Sequence, residues 1–463
     1  MNLERINRVY FIGVGGIGMS ALARYFNELG KDVAGYDRVS KPLTQQLEKE
    51  GVIIHYDDEP GLIPSAFTQN KKRTLIVYTP AVSKDHKELN FFRENGYTVL
   101  KRSEVLGEIS KGKTCLTVAG THGKTSVSSI LAHLLNNSSL GCNAFLGGIV
   151  KNYNSNFLVN KKSSLMVAEA DEFDRSFLNL SPNMALITSI EEDHLDIYNN
   201  KASIQEAFEE FINKLPENST LIYHKGLELK MPEENHLQTF TYSLNAGADF
   251  YAANIEITDA KYRFDLVTPR ETLKNFNLSI PGLVNVENAV AALAMAYIQK
   301  VDKEYLFKNL SNFQGIERRF DVKFKQGGVV YIDDYAHHPS EIRYTIQSVR
   351  DFYPGKSIIG VFQPHLYSRT QYFASQFAKS LELLDEVILL DIYPAREEPI
   401  PGVNSEIILK HIKSIPATVC AREDLPDMLS KKNIETLITM GAGDIDRMVA
   451  PICDQLKKRY GEE

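Results

Sequence analysis

An apolar run at residues 114–119 leads through Gly120-Thr121-His122-Gly123-Lys124-Thr125 into an amphipathic helical pattern, and no other feature restricts the fold so tightly. A strand that hands a glycine turn to a helix belongs in a parallel α/β sheet, with the turn at the carboxyl edge of the strands. The backbone N–H groups of the turn and the start of the helix form a cradle for phosphate oxygens. In such a loop Lys124 reaches the outer phosphates and the Thr125 hydroxyl ligates Mg2+. Val118 occupies the place of the first glycine in the general G-x-x-x-x-G-K-[ST] pattern, so the loop is a shortened one.

The same alternation of strand and helix runs through the whole chain. Apolar runs rich in Val and Ile predict strands at residues 9–12, 32–36 and 74–78, then at 114–119, 165–168, 185–188 and 220–223, and last at 329–332, 357–362, 386–390 and 436–440. Ile17, Ala21, Leu22, Tyr25, Phe26 and Leu29 recur at three- and four-residue steps, which gives a helix one apolar face. Residues 236–280 alternate in the manner of antiparallel strands, ahead of a helix over 288–297. At about 100–200 residues per domain, a chain of 463 divides into three. The polar connector Ser110-Lys111-Gly112-Lys113 and a joint near 315 set the expected domains at 1–110, 111–315 and 316–463. The expected fold is α/β throughout: a Rossmann-like first domain, a central P-loop domain with extra antiparallel strands, and a Rossmann-like third domain.

Lys and Arg number 52 against 59 Asp and Glu, a net charge of -7, so neither sign builds the field of a nucleic-acid binder or a polybasic membrane anchor. Cys115, Cys142, Cys420 and Cys453 stand far apart without zinc-like spacing and read as small core residues in a reducing compartment. The N-terminus lacks the pattern of a signal peptide, and no apolar run approaches the about 20 residues of a membrane span. The expected location is the cytoplasm.

Three further groups carry chemistry. Gly13-Val14-Gly15-Gly16-Ile17-Gly18 lies between a strand and a helix, and Asp37 follows 19 residues after the last glycine (37 − 18), where a Rossmann protein keeps its ribose-binding acid. NAD or any other diphosphate-linked nucleotide meets those requirements. Glu169-Ala170-Asp171-Glu172 and Glu191-Glu192-Asp193-His194-Leu195-Asp196 each follow an apolar strand, placing carboxylates beside the P-loop where Mg2+ is held. In the last third, Arg318, Arg319 and Arg369 supply forked donors for carboxylates and phosphates, while Asp333-Asp334 and His337-His338 read either as a nucleotide- and substrate-facing loop or as a transition-metal site.

Ala119-Gly120-Thr121-His122-Gly123-Lys124-Thr125, the two acidic segments, Asn285-Val286-Glu287-Asn288, Glu317-Arg318-Arg319-Phe320-Asp321 and the run from Asp333 to Glu341 together resemble the Mur ligases, which build the peptide stem of bacterial cell-wall precursors. The regular first glycine loop and paired His337-His338 resemble the member that adds the first amino acid. The resemblance therefore implies ATP-dependent joining of L-alanine to the lactyl carboxylate of UDP-N-acetylmuramate through an acyl phosphate, with ADP and phosphate released. It implies ATP and Mg2+ as cofactors, a monomer or weak dimer, and no nucleic-acid or membrane partner. By the same resemblance Gly120, Thr121, His122, Gly123, Lys124, Thr125, Ser126, Asn285 and Asn288 bind ATP, joined by Arg318 or Arg319 and by Asp334. Thr125, Glu169 and His194 are metal ligands. Gly13, Gly15, Gly16, Ile17, Gly18 and Asp37 hold UDP rather than NAD. Tyr335, His337, His365 and Arg369 face the alanine, and Lys124, Arg319 and His337 carry the chemistry, His337 as base. Two departures stand out: Leu366 replaces a second arginine after His365, and residues 203–212 lack the lysine that sister ligases carbamylate, so metal binding without that modification is expected.

Overall fold

A computed structural model describes residues 3–191, 198, 201–231, 236–258, 261–395 and 397–461. The first sheet comprises β1 (Arg8–Ile12), β2 (Asp32–Tyr36), β3 (Ile53–His55), β4 (Thr74–Tyr78) and β5 (Thr98–Lys101), all parallel in the order β3-β2-β1-β4-β5. In the central sheet β6 (Thr114–Ala119), β7 (Asn143–Val150), β8 (Ser155–Leu158), β9 (Leu165–Ala170), β10 (Met184–Ile187), β11 (Thr220–His224) and β12 (Gln238–Ser243) run β12-β11-β10-β6-β9-β7-β8. Neighbours there are parallel apart from the β7–β8 hairpin. Beyond them come β13 (Phe250–Thr258), β14 (Lys261–Val267) and β15 (Thr272–Leu278). The last sheet holds β16 (Asp321–Gln326), β17 (Val329–Asp334), β18 (Ile358–Phe362), β19 (Glu386–Leu390), β20 (Ala417–Cys420) and β21 (Thr436–Met440) in the order β16-β17-β21-β18-β19-β20, with β16 antiparallel.

Every run read as a strand is one, and the helix expected over 288–297 spans Leu283–Ile298. Within 236–280 the expectation of antiparallel strands needs correction at its start, at β12 and the first residues of β13. β12 is parallel to β11, and Tyr242 and Ser243 pair in parallel with Phe250 and Tyr251. Alternating polarity there reports strands with one wet face, as in the exposed-and-buried pattern of β13, and says nothing of strand direction. The β7–β8 hairpin at the other end of the central sheet is antiparallel.

The chain packs as two compact units, one of residues 1–253, 265–276 and 288–312, the other of 254–264, 277–287 and 313–463. The first expected domain and most of the second therefore share one unit, while 254–264 and 277–287 of the second belong to the other, and the joint near 315 falls beside a unit boundary. The reason lies in the helix Ile17–Glu28, which is covered on both sides. Leu22 and Phe26 enter the core beneath it, while Tyr25 meets Phe145 and Phe157 of the β7–β8 hairpin at ring-centroid distances of 5.4 and 6.0 Å. Arg24, buried on the same helix, donates to Asn156 Oδ1 at 2.5 Å and forks onto Glu50 at 2.8 and 2.9 Å. Asn156, wholly buried, donates in turn to Ser20 Oγ and to the Ile17 carbonyl. Ile17 and Leu29, expected on the apolar face, are 37% and 48% exposed because they stand at the helix ends, outside that cover. All four cysteines are free, and no helix among the described residues is long and apolar enough to cross a membrane.

Candidate active site

Strand β6 lies between β9 and β10, so the segments leaving these three strands gather at one edge. Gly120 takes φ +130°, and a Cβ there would come 2.0 Å from Thr188 Oγ1 and 2.8 Å from Ser189 N, so the close approach of β10's exit admits only glycine. Thr188 donates to the His122 carbonyl, and Ser189 Oγ sits 2.9 Å from Thr121 Oγ1 and accepts the His122 N–H at 3.0 Å. Gly123, in the left-handed region, precedes the helix Lys124–Asn136. A Cβ on it would lie 3.0 Å from Asn288 Oδ1, which places Asn288 beside the loop. Asn285, one turn earlier on its helix, belongs to the other unit and donates to Pro281 O at 2.6 Å. Ser126 is half-buried in the first turn after the loop.

Lys124 Nζ donates to Gly120 O at 2.5 Å and to the two Glu172 carboxylate oxygens at 3.0 and 2.7 Å. The Glu172 side chain has no exposure and that of Lys124 has 14%. Burial opposes the ammonium charge, but Glu172, Asp171 and Glu169 more than compensate and hold its pKa above the ordinary value. Glu169 accepts from Thr125 Oγ1 at 3.1 Å on one oxygen, and from Ser128 Oγ at 3.1 Å and Gly147 N at 2.5 Å on the other. Thr125 and Glu169 are thus side by side, and their oxygen-only donor set suits a hard cation such as Mg2+. His194, with Glu192, Asp193 and Asp196, lies outside the described residues. The helix that follows spans Lys201–Ile212, so the lysine-free stretch begins at its third position and a lysine stands at its first.

At the first glycine loop, Gly13 has φ +86°, and the N–H groups of Gly13 and Val14 donate to Tyr36 O at 2.8 and 3.0 Å. Asp37 accepts the Gly15 N–H at 2.8 Å and the Val39 N–H at 3.2 Å. Both carboxylate oxygens are therefore engaged in holding the loop, a role the ribose reading did not include. Gly16, Ile17 and Gly18 open the helix Ile17–Glu28, with Gly16 and Ile17 exposed.

In the second unit the histidines and arginines sort by partner. Arg318 donates to Gly441 O at 2.7 Å and pairs with Asp333 at 3.4 Å and Asp446 at 3.6 Å, so its fork is tied within the unit. Arg319 stacks on Tyr335 at 5.0 Å. Asp334 accepts Phe320 N at 3.2 Å, Ala336 N at 3.0 Å and Thr345 Oγ1 at 2.9 Å, which makes it a brace at the end of β17. Burial, opposed by Arg319, pushes its carboxyl pKa up to about 6. His337 Nδ1 lies 3.0 Å from Tyr335 O and 3.1 Å from Glu341 Oε2; two acceptors there keep the proton on Nδ1 and leave Nε2 as the basic nitrogen. His365 is 6.1 Å from the His337 ring and stacks on Tyr393 at 5.7 Å. Arg369 is buried, with Nη1 3.5 Å from His365 Nδ1. Leu366 takes φ +69°, a left-handed conformation, as the chain turns into the helix Tyr367–Leu381. Tyr335, His337, His365 and Arg369 are thus brought together. Tyr393, without a motif around it, was not foreseen. Nor were Thr188 and Ser189, whose only signal is their place after a strand; Glu172 stood in the acidic segment without an assigned partner.

Three family models match: the Mur ligase family catalytic domain over residues 8–114, the Mur ligase middle domain over 118–296, and the Mur ligase glutamate ligase domain over 318–443. A UDP-N-acetylmuramate–L-alanine ligase of Parabacteroides distasonis is 50% identical over 99% of this chain and 100% of its own length. The enzyme of that name from Porphyromonas gingivalis is 49% identical over 98% and 99%. Among solved structures, the UDP-N-acetylmuramate-alanine ligase MurC of Thermotoga maritima aligns with a TM-score of 0.82 at 26% identity over 98% of this chain and all of that one. A murein peptide ligase of Psychrobacter arcticus aligns at 0.71 with 21% identity over 98% and 99%, a likeness of fold.

Proposed function

The chain belongs to the Mur ligase family, and from that premise we propose that it joins L-alanine to the lactyl carboxylate of UDP-N-acetylmuramate at the expense of ATP, in peptidoglycan precursor synthesis. Half-identity along the whole length to ligases of that name supports the reaction. The observation that carries the site is the pairing of Lys124 with Glu172 and of Thr125 with Glu169 at one sheet edge.

A carboxylate does not condense with an amine in neutral water because its oxygen leaves poorly. We assign Lys124, the loop N–H groups and Asn288 to the ATP phosphates, with Asn285, Arg319 and Asp334 as further nucleotide contacts. A lactyl oxygen attacks the γ-phosphorus, the bond to ADP breaks, and an acyl phosphate forms; charge neutralisation and alignment carry such a step. Thr125 and Glu169 would hold Mg2+, which neutralises phosphate charge when bound. The amine of alanine then attacks the carbonyl carbon, and orthophosphate leaves with the former carboxylate oxygen. A free α-amine has a pKa of about 7.7–8.0, so His337 Nε2 has only one proton to take. Tyr335, His365 and Arg369 are assigned to the amino acid, and Gly13 to Gly18 with Asp37 to UDP. The test is to supply ATP, Mg2+ and UDP-N-acetylmuramate with each of alanine, serine and glycine, following orthophosphate release and the mass of the amide. ATP consumption with no amide from any of them refutes the proposal.

A further inference from the structure

We propose that Arg102 binds the diphosphate of the sugar nucleotide, and that Gly18 is glycine to leave room for it. The inference rests on the reading of the first glycine loop as the UDP site. Arg102 opens the helix Arg102–Ser110 directly after β5, in the same unit as the loop. A Cβ on Gly18 would come 2.9 Å from both Arg102 Cδ and Arg102 Nη1 and 3.2 Å from its Cζ, so the end of the arginine side chain lies against the first turn of the helix Ile17–Glu28. No other atom is as close to that position, which means the third glycine of the motif is explained by this arginine.

The fork is held there without being used up. Among the described residues it has one ionic partner, Asp171, with Nη2 and Oδ2 3.6 Å apart, beyond hydrogen-bond length. The Arg102 side chain is 22% exposed. A guanidinium offers five N–H donors, and one left with a single long contact keeps most of them for a ligand. The adjacent helix start adds donors of its own: the first intrahelical bond is Ser20 N to Gly16 O at 2.9 Å, ahead of which Ile17, Gly18 and Met19 N–H have no helical acceptor. The loop itself, Gly13 to Gly18, carries no cationic side chain. A diphosphate settled on the helix start therefore draws its countercharge from Arg102, whose planar fork fits two phosphate oxygens as an ammonium does not. Lys101, the preceding residue, is already paired with Asp174 at 2.8 Å.

The test is calorimetric titration of UDP, UDP-N-acetylglucosamine and UDP-N-acetylmuramate into wild type, Arg102→Gln and Arg102→Lys, with ATP as control. Arg102→Gln should weaken all three by about 10- to 100-fold, the range of a charge-assisted bond, and leave ATP unchanged. Arg102→Lys should recover part of the loss, and Gly18→Ala, which displaces the guanidinium, should weaken UDP without adding to Arg102→Gln. Unchanged UDP affinity in Arg102→Gln overturns the inference while sparing the UDP site. A loss seen only with UDP-N-acetylmuramate moves Arg102 to the lactyl carboxylate and overturns the diphosphate assignment. Wild type that fails to take UDP overturns the reading of the loop and this inference with it. If Arg102→Gln does not fold, Arg102→Lys decides: affinity equal to wild type means the fork is not used.

Discussion

Removing the P-loop lysine should cost this protein its fold stability as well as its chemistry, and the two losses can be separated. Lys124 and Glu172 meet at 2.7 Å, with Glu172 wholly buried. Lys124→Met leaves that carboxylate without its counter-ion, a deletion that costs about 3–5 kcal/mol. At ~2 °C per kcal/mol for a body of this size, the melting point should fall by roughly 6–10 °C. Lys124→Met/Glu172→Gln removes both charges and should recover most of that fall, since exchanging a buried pair for neutral groups is often close to neutral. Neither variant should release orthophosphate above about a hundredth of the wild-type rate, because the cation for the transferred phosphate is gone from both. Both should bind UDP-N-acetylmuramate normally. Thermal melting by circular dichroism without nucleotide, together with phosphate release under saturating substrates, reads the two effects apart. A single variant that melts with wild type, or a double variant no better than the single, refutes the buried-pair argument. Turnover in either removes the loop from the mechanism.

Gly147→Ala would place a methyl 2.4 Å from Glu169 Oε2, so it should raise the Mg2+ needed for half-maximal activity at least several-fold; an unchanged Mg2+ titration counts against Glu169 as a ligand. Asn156→Ala leaves Arg24 Nη1 without its 2.5 Å acceptor in a buried place and should cost about 2–4 kcal/mol in melting experiments, against less than 1 if the contact carries nothing. Glu88, buried against Tyr10, has its pKa raised by burial from 4.5 to about 7. Its neutral form favours the fold, so that contribution is complete below pH 4.5 and is lost as pH rises through about 7. Glu88→Gln should therefore melt with wild type near pH 4.5 and above it at pH 8, and a gap that does not widen with pH contradicts the assignment.

Most of the strands and both glycine turns were legible because they depend on local pattern: β-branched runs, glycines such as Gly13, Gly120 and Gly123 where the turns take positive φ, an apolar stripe along a helix. What could not be read depends on residues distant in the chain. Glu172 stands 48 positions from Lys124 and Asn156 stands 132 from Arg24, and no periodicity links such pairs. Asp37 was found by its spacing, yet spacing does not say that its oxygens accept Gly15 and Val39 N–H groups. Arg318 and Arg319 are equivalent as sequence; only the carboxylates around Arg318 distinguish them. Tyr393 reaches His365 from a loop whose composition signals nothing.

The double cover of the helix Ile17–Glu28 bears on how such a ligase can be rebuilt. Tyr25, Arg24 and Ser20 on one side of the interface, and Phe145, Phe157 and Asn156 on the other, form a matched set. A chimera that borrows a relative's opening sheet inherits only half of it, leaving aromatic rings and a guanidinium facing a stranger. Exchange of the nucleotide-recognition end between relatives therefore has to carry the β7–β8 hairpin along, and a splice at the hydrophilic connector before it divides the set.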